Sequence, residues 1–217
     1  MHVPPQLMAR EPEQASSLAR RTPLLASFGH AWRGLVHVAA RERNMRLHLL
    51  AGVTVGLAGT ELPLPGWGRV GVILAVALVI AGEALNSALE ALVDLHTRER
   101  RPEARLVKDA AAGAVLALAA GAVLLGLPVL AEAWARLPAP ARPGPLAMGR
   151  DLSIVAAAGA LLLPADRPRI ADLALTVAGL VLLASAALHS ASLPLTAVSA
   201  LAFAIAAAAA QARRELA

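Results

Sequence analysis

No cysteine occurs in this chain of 217 residues. Disulfides and thiolate metal sites are therefore excluded. Tyrosine is also absent, and aromatic residues make up only 2% of the chain. Strands favour β-branched and aromatic side chains, whereas alanine and leucine dominate here, so strand signals are poor. Lysine is nearly missing. Of 20 basic residues only Lys108 is a lysine, and asparagine appears only as Asn44 and Asn86. This scarcity fits a GC-rich coding bias that disfavours Lys and Asn codons. Under such a bias, a lysine beside Asp109 and an asparagine inside an acidic stripe stand out as retained for chemistry. Residues 1–22 are polar, carry Pro, Arg and Glu, and have no apolar h-region. They are expected to be disordered, with no secretory signal peptide.

What the chain does have is apolar residues, 58% of the total, with a mean hydropathy of +0.62. Long apolar runs recur, which predicts an all-α, multi-span membrane protein. Residues 24–46 read as an amphipathic helix. Leu25, Phe28, Trp32, Leu35, Val36 and Ala39 form its apolar stripe, and His30, Arg33, His37 and Arg41 a basic stripe beside it. That pattern fits a helix lying in the membrane interface. Three spans follow, near 47–61, 69–95 and 108–130. The turn TELPLPGWG joins the first two, and the basic loop HTRERRPEAR joins the last two. The third span is rich in Ala and Gly, which allows close helix packing. Residues 131–150 are Pro-rich and read as a linker. Up to three weaker spans come next, near 152–164, 170–188 and 194–210. The first of these is short enough for a re-entrant segment. The expected division is thus 1–22, a membrane domain over 23–130, the linker 131–150 and an additional span region over 151–217.

Cytoplasmic loops carry an excess of Lys and Arg. Arg33, Arg41, Arg43 and Arg46 precede the first span, and Arg98, Arg100, Arg101 and Arg105 follow the second. An in–out–in–out path puts both groups in the cytoplasm, and three more crossings bring Arg213 and Arg214 back there. Arg136, Arg142 and Arg150 then lie outside, a mild conflict. Asp166, Arg167, Arg169, His189 and Ser190 read as ordinary turn or interfacial residues, and Trp32, Trp67 and Trp134 as interface anchors.

The most informative segment is GVILAVALVIAGEALNSALEALVDL, Gly71–Leu95. Glu83, Asn86, Glu90 and Asp94 share one face of it, at roughly 100° per residue. A charge near a bilayer centre costs about 2.5–3.5 kcal/mol on insertion scales, and such residues mark functional sites facing the bundle interior. Glu83 lies about 16 Å deeper than Asp94 at 1.5 Å per residue. The site therefore has a water-facing end, with Asp94, Lys108 and Asp109, and a deep end. Phosphoryl transfer needs carboxylate-held divalent cations, cations on the phosphates and a base near the acceptor hydroxyl. Glu42 and Glu90 can share Mg²⁺ bound to ATP, Lys108 can meet the phosphates, and Glu83, desolvated by Ala84, Leu85, Ala88 and Leu89, suits a general base. There is no Walker A motif and no Gly-rich loop of the protein-kinase type, so ATP chemistry here needs another design. Carboxylates inside a membrane also mark ion paths, so a cation-coupled transporter is one alternative. A non-catalytic membrane scaffold is another.

The blocks RERNMRLHLLAG (41–52), GEALNSALEALVDL (82–95) and RLVKDAAAGAVL (105–116) resemble the prokaryotic integral-membrane lipid kinases, the diacylglycerol and undecaprenol kinases. The resemblance covers roughly residues 25–130, and E-x-x-N-x-x-x-E-x-x-x-D followed by K-D is its specific element. It implies a homotrimer of three-span subunits with active sites between them. It implies MgATP-dependent phosphorylation of a membrane alcohol at the bacterial inner membrane, with the active site facing the cytoplasm and no nucleic-acid partner. By resemblance Glu83 matches the catalytic base and Asn86 its polar partner. Glu42 and Glu90 match the Mg-nucleotide ligands. Asp94, Lys108 and Asp109 match other polar active-site positions, with Arg46 and His48 in the first block. The wording ERNMRLH leans toward undecaprenol over diacylglycerol. Arg105 stands where related sequences often have Lys. Residues 131–217 exceed the usual three-span length and lack the Arg/His-rich motifs and the Ser-Gly-His element of a fused lipid phosphatase.

Overall fold

In the computed structural model the described residues are 23–97, 99, 101–190 and 192–216. The expectations for residues 1–22, Arg98 and Arg100 fall outside them. The described residues form seven α-helices and no strand. They are α1 (Leu24–Arg41), α2 (Arg43–Thr60), α3 (Gly66–His96), α4 (Pro102–Arg136), α5 (Pro145–Leu162), α6 (Arg169–His189) and α7 (Leu193–Leu216). The helices α3 to α7 are long and apolar enough to cross a membrane. The protein is a multi-pass, all-α membrane protein.

The chain divides into two compact units, Met1–Gly34 and Leu35–Ala217. Of the first, the described part is the start of α1. Leu24, Leu25 and Phe28 are exposed there, and Arg33 lies within hydrogen-bond distance of His30. These exposed apolar side chains are what an interfacial helix presents to lipid.

The helix expected over 24–46 stops at Arg41, because Glu42 is extended (φ −87°, ψ 126°) and a new helix starts at Arg43. The chain turns there, and Glu42 becomes the N-cap of α2. The other spans run longer than expected. Pro102 opens α4 at its first turn, where a missing N–H costs nothing. Pro128 lies inside α4 without ending it, as membrane helices tolerate. α4 continues to Arg136 and α5 begins at Pro145, so the break between them is short. α5 is a helix of 18 residues rather than a re-entrant loop.

The second unit is built around α2. α3 and α4 pack on each other as a hairpin, and α3 also packs on α2. On its other side α2 meets α7 and α5. The largest apolar cluster therefore joins the two halves of the sequence. It contains Met45, Leu49, Val53 and Leu57 of α2, Ile154, Ala158 and Leu161 of α5, Leu183 and Ala186 of α6, and Phe203 and Ala206 of α7. Close approach makes this possible. A Cβ at Gly56 would strike Ser199 Oγ, and one at Gly179 would strike the Phe203 ring. Ser199 Oγ lies 3.3 Å from the carbonyl oxygens of Val53 and Leu195. Small residues and backbone-directed hydroxyls are the usual adhesive between helices in lipid. Of the most apolar stretch of α7, 56% is buried, against 22% for α3 and 17% for α4. α7 is thus a central helix, while α3 and α4 present broad apolar faces outward.

The helix directions give the bundle two ends. Arg41, Arg43, Arg46, Arg101, Arg105, Arg167, Arg213 and Arg214 gather at one. Four arginines lie at the other end, and Arg69 there donates to the Leu64 carbonyl at 3.0 Å. Arg150 pairs with Glu61 and with Asp151 at 2.9 Å. Arg136 pairs with Glu132 at 2.5 Å, and Arg142 lies over the Trp134 ring at 5.3 Å. Arg136 and Arg150 thus meet carboxylates, which offsets two of the four charges at this end.

Candidate active site

The polar stripe of α3 runs from the buried Glu83 and Asn86 through the half-buried Glu90 to the exposed Asp94. Ile80 and Ala84 pack against the large apolar cluster, and Gly82 lies against Leu118 of α4. This packing leaves Glu83 2% exposed and Asn86 8% exposed. Asn86 Nδ2 donates to Glu90 Oε1 at 3.1 Å, one helical turn on. Glu83 Oε2, Asn86 Oδ1 and Ser87 Oγ are buried without a hydrogen-bond partner. The charges felt most at Glu83 are those of Glu42 and Glu90. The extended residue that breaks α1 from α2 thus comes near the buried carboxylate of α3. None of these three carboxylates has an ion-pair partner among the described residues.

The outer residues form a second group. Lys108 Nζ bridges to Asp94 Oδ1 at 2.6 Å and ties the end of α3 to the start of α4. Asp109 pairs with Arg105 at 3.5 Å along α4. These four residues line a cleft of about 810 Å³, together with Thr97, Glu99 and Arg101. That volume lies within the range that takes nucleotide-sized ligands, roughly 300–1,000 Å³. Arg46 is half-buried on α2, and its charge reaches Arg213 of α7. His48 lines a different space, an apolar cleft of about 160 Å³ between α2, α3 and α4.

The donor set decides what kind of metal the site fits. Among the described residues no three His, Asp or Glu side chains are placed to hold a metal ion. Glu42 and Glu90 offer at most two carboxylates. Mg²⁺ is characteristically held by one or two carboxylates plus substrate phosphates and water. The unpaired anions and the orphaned Glu83 oxygen therefore fit a Mg²⁺ that arrives with a nucleotide, and do not fit an all-protein cage.

Residues 29–130 match the prokaryotic diacylglycerol kinase family. A diacylglycerol kinase of Synechocystis sp. is 39% identical over 119 residues, covering 54% of this chain and 68% of that protein. The chain belongs to the prokaryotic diacylglycerol kinase family. An undecaprenol kinase of Bacillus subtilis is also 39% identical, over 107 residues, covering 46% of this chain and 82% of the relative. No solved structure matches. As a member of this family the protein is a lipid kinase and a user of nucleotide. Its α5, α6 and α7 lie beyond the family match.

The tail holds buried polar residues, and Arg167, expected to be an ordinary turn residue, is among their partners. Asp172 is 4% exposed and accepts from Arg167 and Arg214 at once. Ser192, Thr196 and Ser199 of the α7 region are buried as well. A signal was present in the RR pair at the end of α7 and the lone Asp in the first turn of α6. Neither pattern reveals the other without knowledge that the two helices pack together.

Proposed function

We propose that this protein transfers the γ-phosphoryl group of MgATP to the hydroxyl of a membrane lipid alcohol, undecaprenol in preference to diacylglycerol. The observation that carries the reading is the buried Glu83 with a free oxygen, flanked by Glu42 and Glu90. The hydroxyl oxygen forms the new bond to the γ-phosphorus as the bond to the β–γ bridging oxygen breaks. ADP leaves, and Glu83 takes the hydroxyl proton. Asn86 acts by holding the Glu90 carboxylate. Glu42 and Glu90 would hold Mg²⁺, which would supply charge to offset that on the phosphate oxygens. Lys108 exchanges its Asp94 partner for phosphate, while Asp109 and Arg46 complete the outer polar shell.

The leaning to undecaprenol rests on the ERNMRLH block and on the small apolar cleft beside His48, which suits one hydrocarbon chain more readily than two. The name of the Synechocystis relative favours diacylglycerol, which gives phosphatidic acid, as the second reading. The arginine-rich end faces the cytoplasm of a bacterial inner membrane by the positive-inside rule, and the nucleotide enters there. Residues 23–130 act as the kinase domain. The outward apolar faces of α3 and α4 meet sister subunits in a homotrimer, and native mass spectrometry showing only monomer would remove that part. The deciding test is transfer of labelled phosphate from MgATP in mixed micelles, with undecaprenol and diacylglycerol side by side. Preference for diacylglycerol overturns the substrate choice, and labelling of neither lipid overturns the activity.

A further inference from the structure

A basic cleft of about 710 Å³ lies at the arginine-rich end between the α5–α6 turn, the end of α7 and the end of α1. Four guanidinium groups line it, from Arg41, Arg167, Arg213 and Arg214, against two carboxylates, Asp166 and Asp172. Asp172 is fully spent. Its Oδ1 accepts from Arg167 Nε at 3.2 Å, and its Oδ2 accepts from Arg214 Nε at 3.0 Å and Nη2 at 2.6 Å. Arg213 has no carboxylate partner. Its Nη2 donates to the Leu161 carbonyl, while its Nη1 is buried with no acceptor. Arg41 is exposed at the rim, with no acceptor for its guanidinium among the described residues.

Arginines at this end have two ordinary uses. They cap the last carbonyls of α5, as Arg167 does for Ala160 and Arg213 for Leu161. They also fix topology as cytoplasmic cations. Neither use accounts for the convergence. Capping Leu161 takes one of the five N–H donors of Arg213, and topology needs no cleft. Arg213, only half-buried and without a carboxylate partner among the described residues, and the exposed Arg41 both line this cleft, and guanidinium matches an anion with several acceptor oxygens such as phosphate.

We propose that this cleft is a phosphate-binding site, separate from the phosphotransfer site, that takes a phosphomonoester through Arg41 and Arg213. The phosphomonoester is either a lipid headgroup or a soluble phosphate. Arg167 and Arg214 are held in place by Asp172 and form the back wall. The site does not depend on the kinase reading, since none of these four arginines belongs to the proposed reaction.

Full-length protein in nanodiscs of neutral lipid tests it, by thermal unfolding during titration with dioctanoyl phosphatidic acid, dioctanoyl phosphatidylcholine or inorganic phosphate. Stabilisation by phosphatidic acid alone supports a lipid headgroup, and equal stabilisation by inorganic phosphate supports a soluble ligand. In either case Arg41→Gln/Arg213→Gln weakens the apparent affinity by about tenfold or more. Because Arg213 also holds the Leu161 carbonyl, Arg41→Gln alone serves as the variant without a bond to lose, and weakens affinity several-fold. Lys108→Met, in the cleft of the phosphotransfer site, does not reproduce the loss caused by the arginine variants. The proposal is overturned by no stabilisation from either phosphate probe, or by an equal effect of phosphatidylcholine. An affinity that survives in both arginine variants overturns it too.

Discussion

Replacing Glu83 by glutamine isolates the chemistry of its carboxylate from its shape. The side chain is 2% exposed and its Oε2 has no partner. Glutamine has nearly the same volume, so no cavity opens. Its amide adds two donors near Glu42 and Glu90, the charges that act most on this position. Loss of one of three neighbouring anions relieves repulsion, so the fold is expected to keep or raise its unfolding temperature. The amide cannot take a proton. General-base catalysis is typically worth about 10²–10⁴-fold, or about 2.7–5.4 kcal/mol at 1.36 kcal/mol per decade. Glu83→Gln should therefore lower kcat by that factor with little change in the KM for MgATP. The assay is initial-rate phosphate transfer in mixed micelles, with thermal unfolding in the same detergent. A folded Glu83→Gln protein within about tenfold of the parent rate would refute the base assignment. A fall in unfolding temperature would instead show that the carboxylate is structural.

Asn86→Ala frees Glu90 from its 3.1 Å tether and should raise the Mg²⁺ concentration needed for half-maximal rate, read from a metal titration. Lys108→Met breaks the Asp94 bridge, whose partners are 33% and 66% exposed; stability should change by less than about 1 kcal/mol, while the KM for MgATP rises several-fold. Asp172→Asn leaves Arg167 and Arg214 facing each other without their shared anion, so a loss of about 3–5 kcal/mol is expected, visible as a large drop in unfolding temperature. Gly56→Val drives a side chain into Ser199, and overpacking of that kind costs about 1–3 kcal/mol; an unchanged unfolding temperature would show that α2 and α7 do not meet there.

The deep polar stripe was legible because membranes make charge expensive. Glu83, Asn86 and Glu90 break an otherwise apolar segment at helical spacing, and the structure buries the first two and ties the second to the third. Glu42 was named from its chemistry, as a carboxylate beside the basic end of the first helix, and its place relative to Glu83 was not legible. Its proximity to Glu83 depends on an extended backbone at one residue, which no periodicity announces. Helix existence was legible throughout, while ends were not. The break at Glu42 lies inside a run that keeps a helical apolar pattern on both sides, so local pattern and tertiary turn disagree there.

The tail was the least legible part, for a physical reason. In water a helix advertises its partner by an apolar stripe, because burial drives the contact. In lipid both faces of a span are apolar, and association rests on close packing and backbone-directed hydrogen bonds. The contact between α2 and α7 is of that kind: Gly52, Gly56 and Gly59 against Leu195, Ser199 and Ala202. Glycine, serine and alanine are common in every span of this chain, so their role appears only when the helices are placed together. The same contact accounts for the modest apolarity of α2, whose helix is not among those apolar enough to span by composition. A helix packed by α3 on one side and by α5 and α7 on another presents less of its surface to lipid and needs fewer apolar side chains. It can carry the half-buried Arg46 and His48 because protein covers those positions, while Leu47, Ala51, Thr54 and Ala58 form its exposed face. The additional helices therefore do more than follow the kinase segment: they supply one wall of the helix on which Glu42 is mounted.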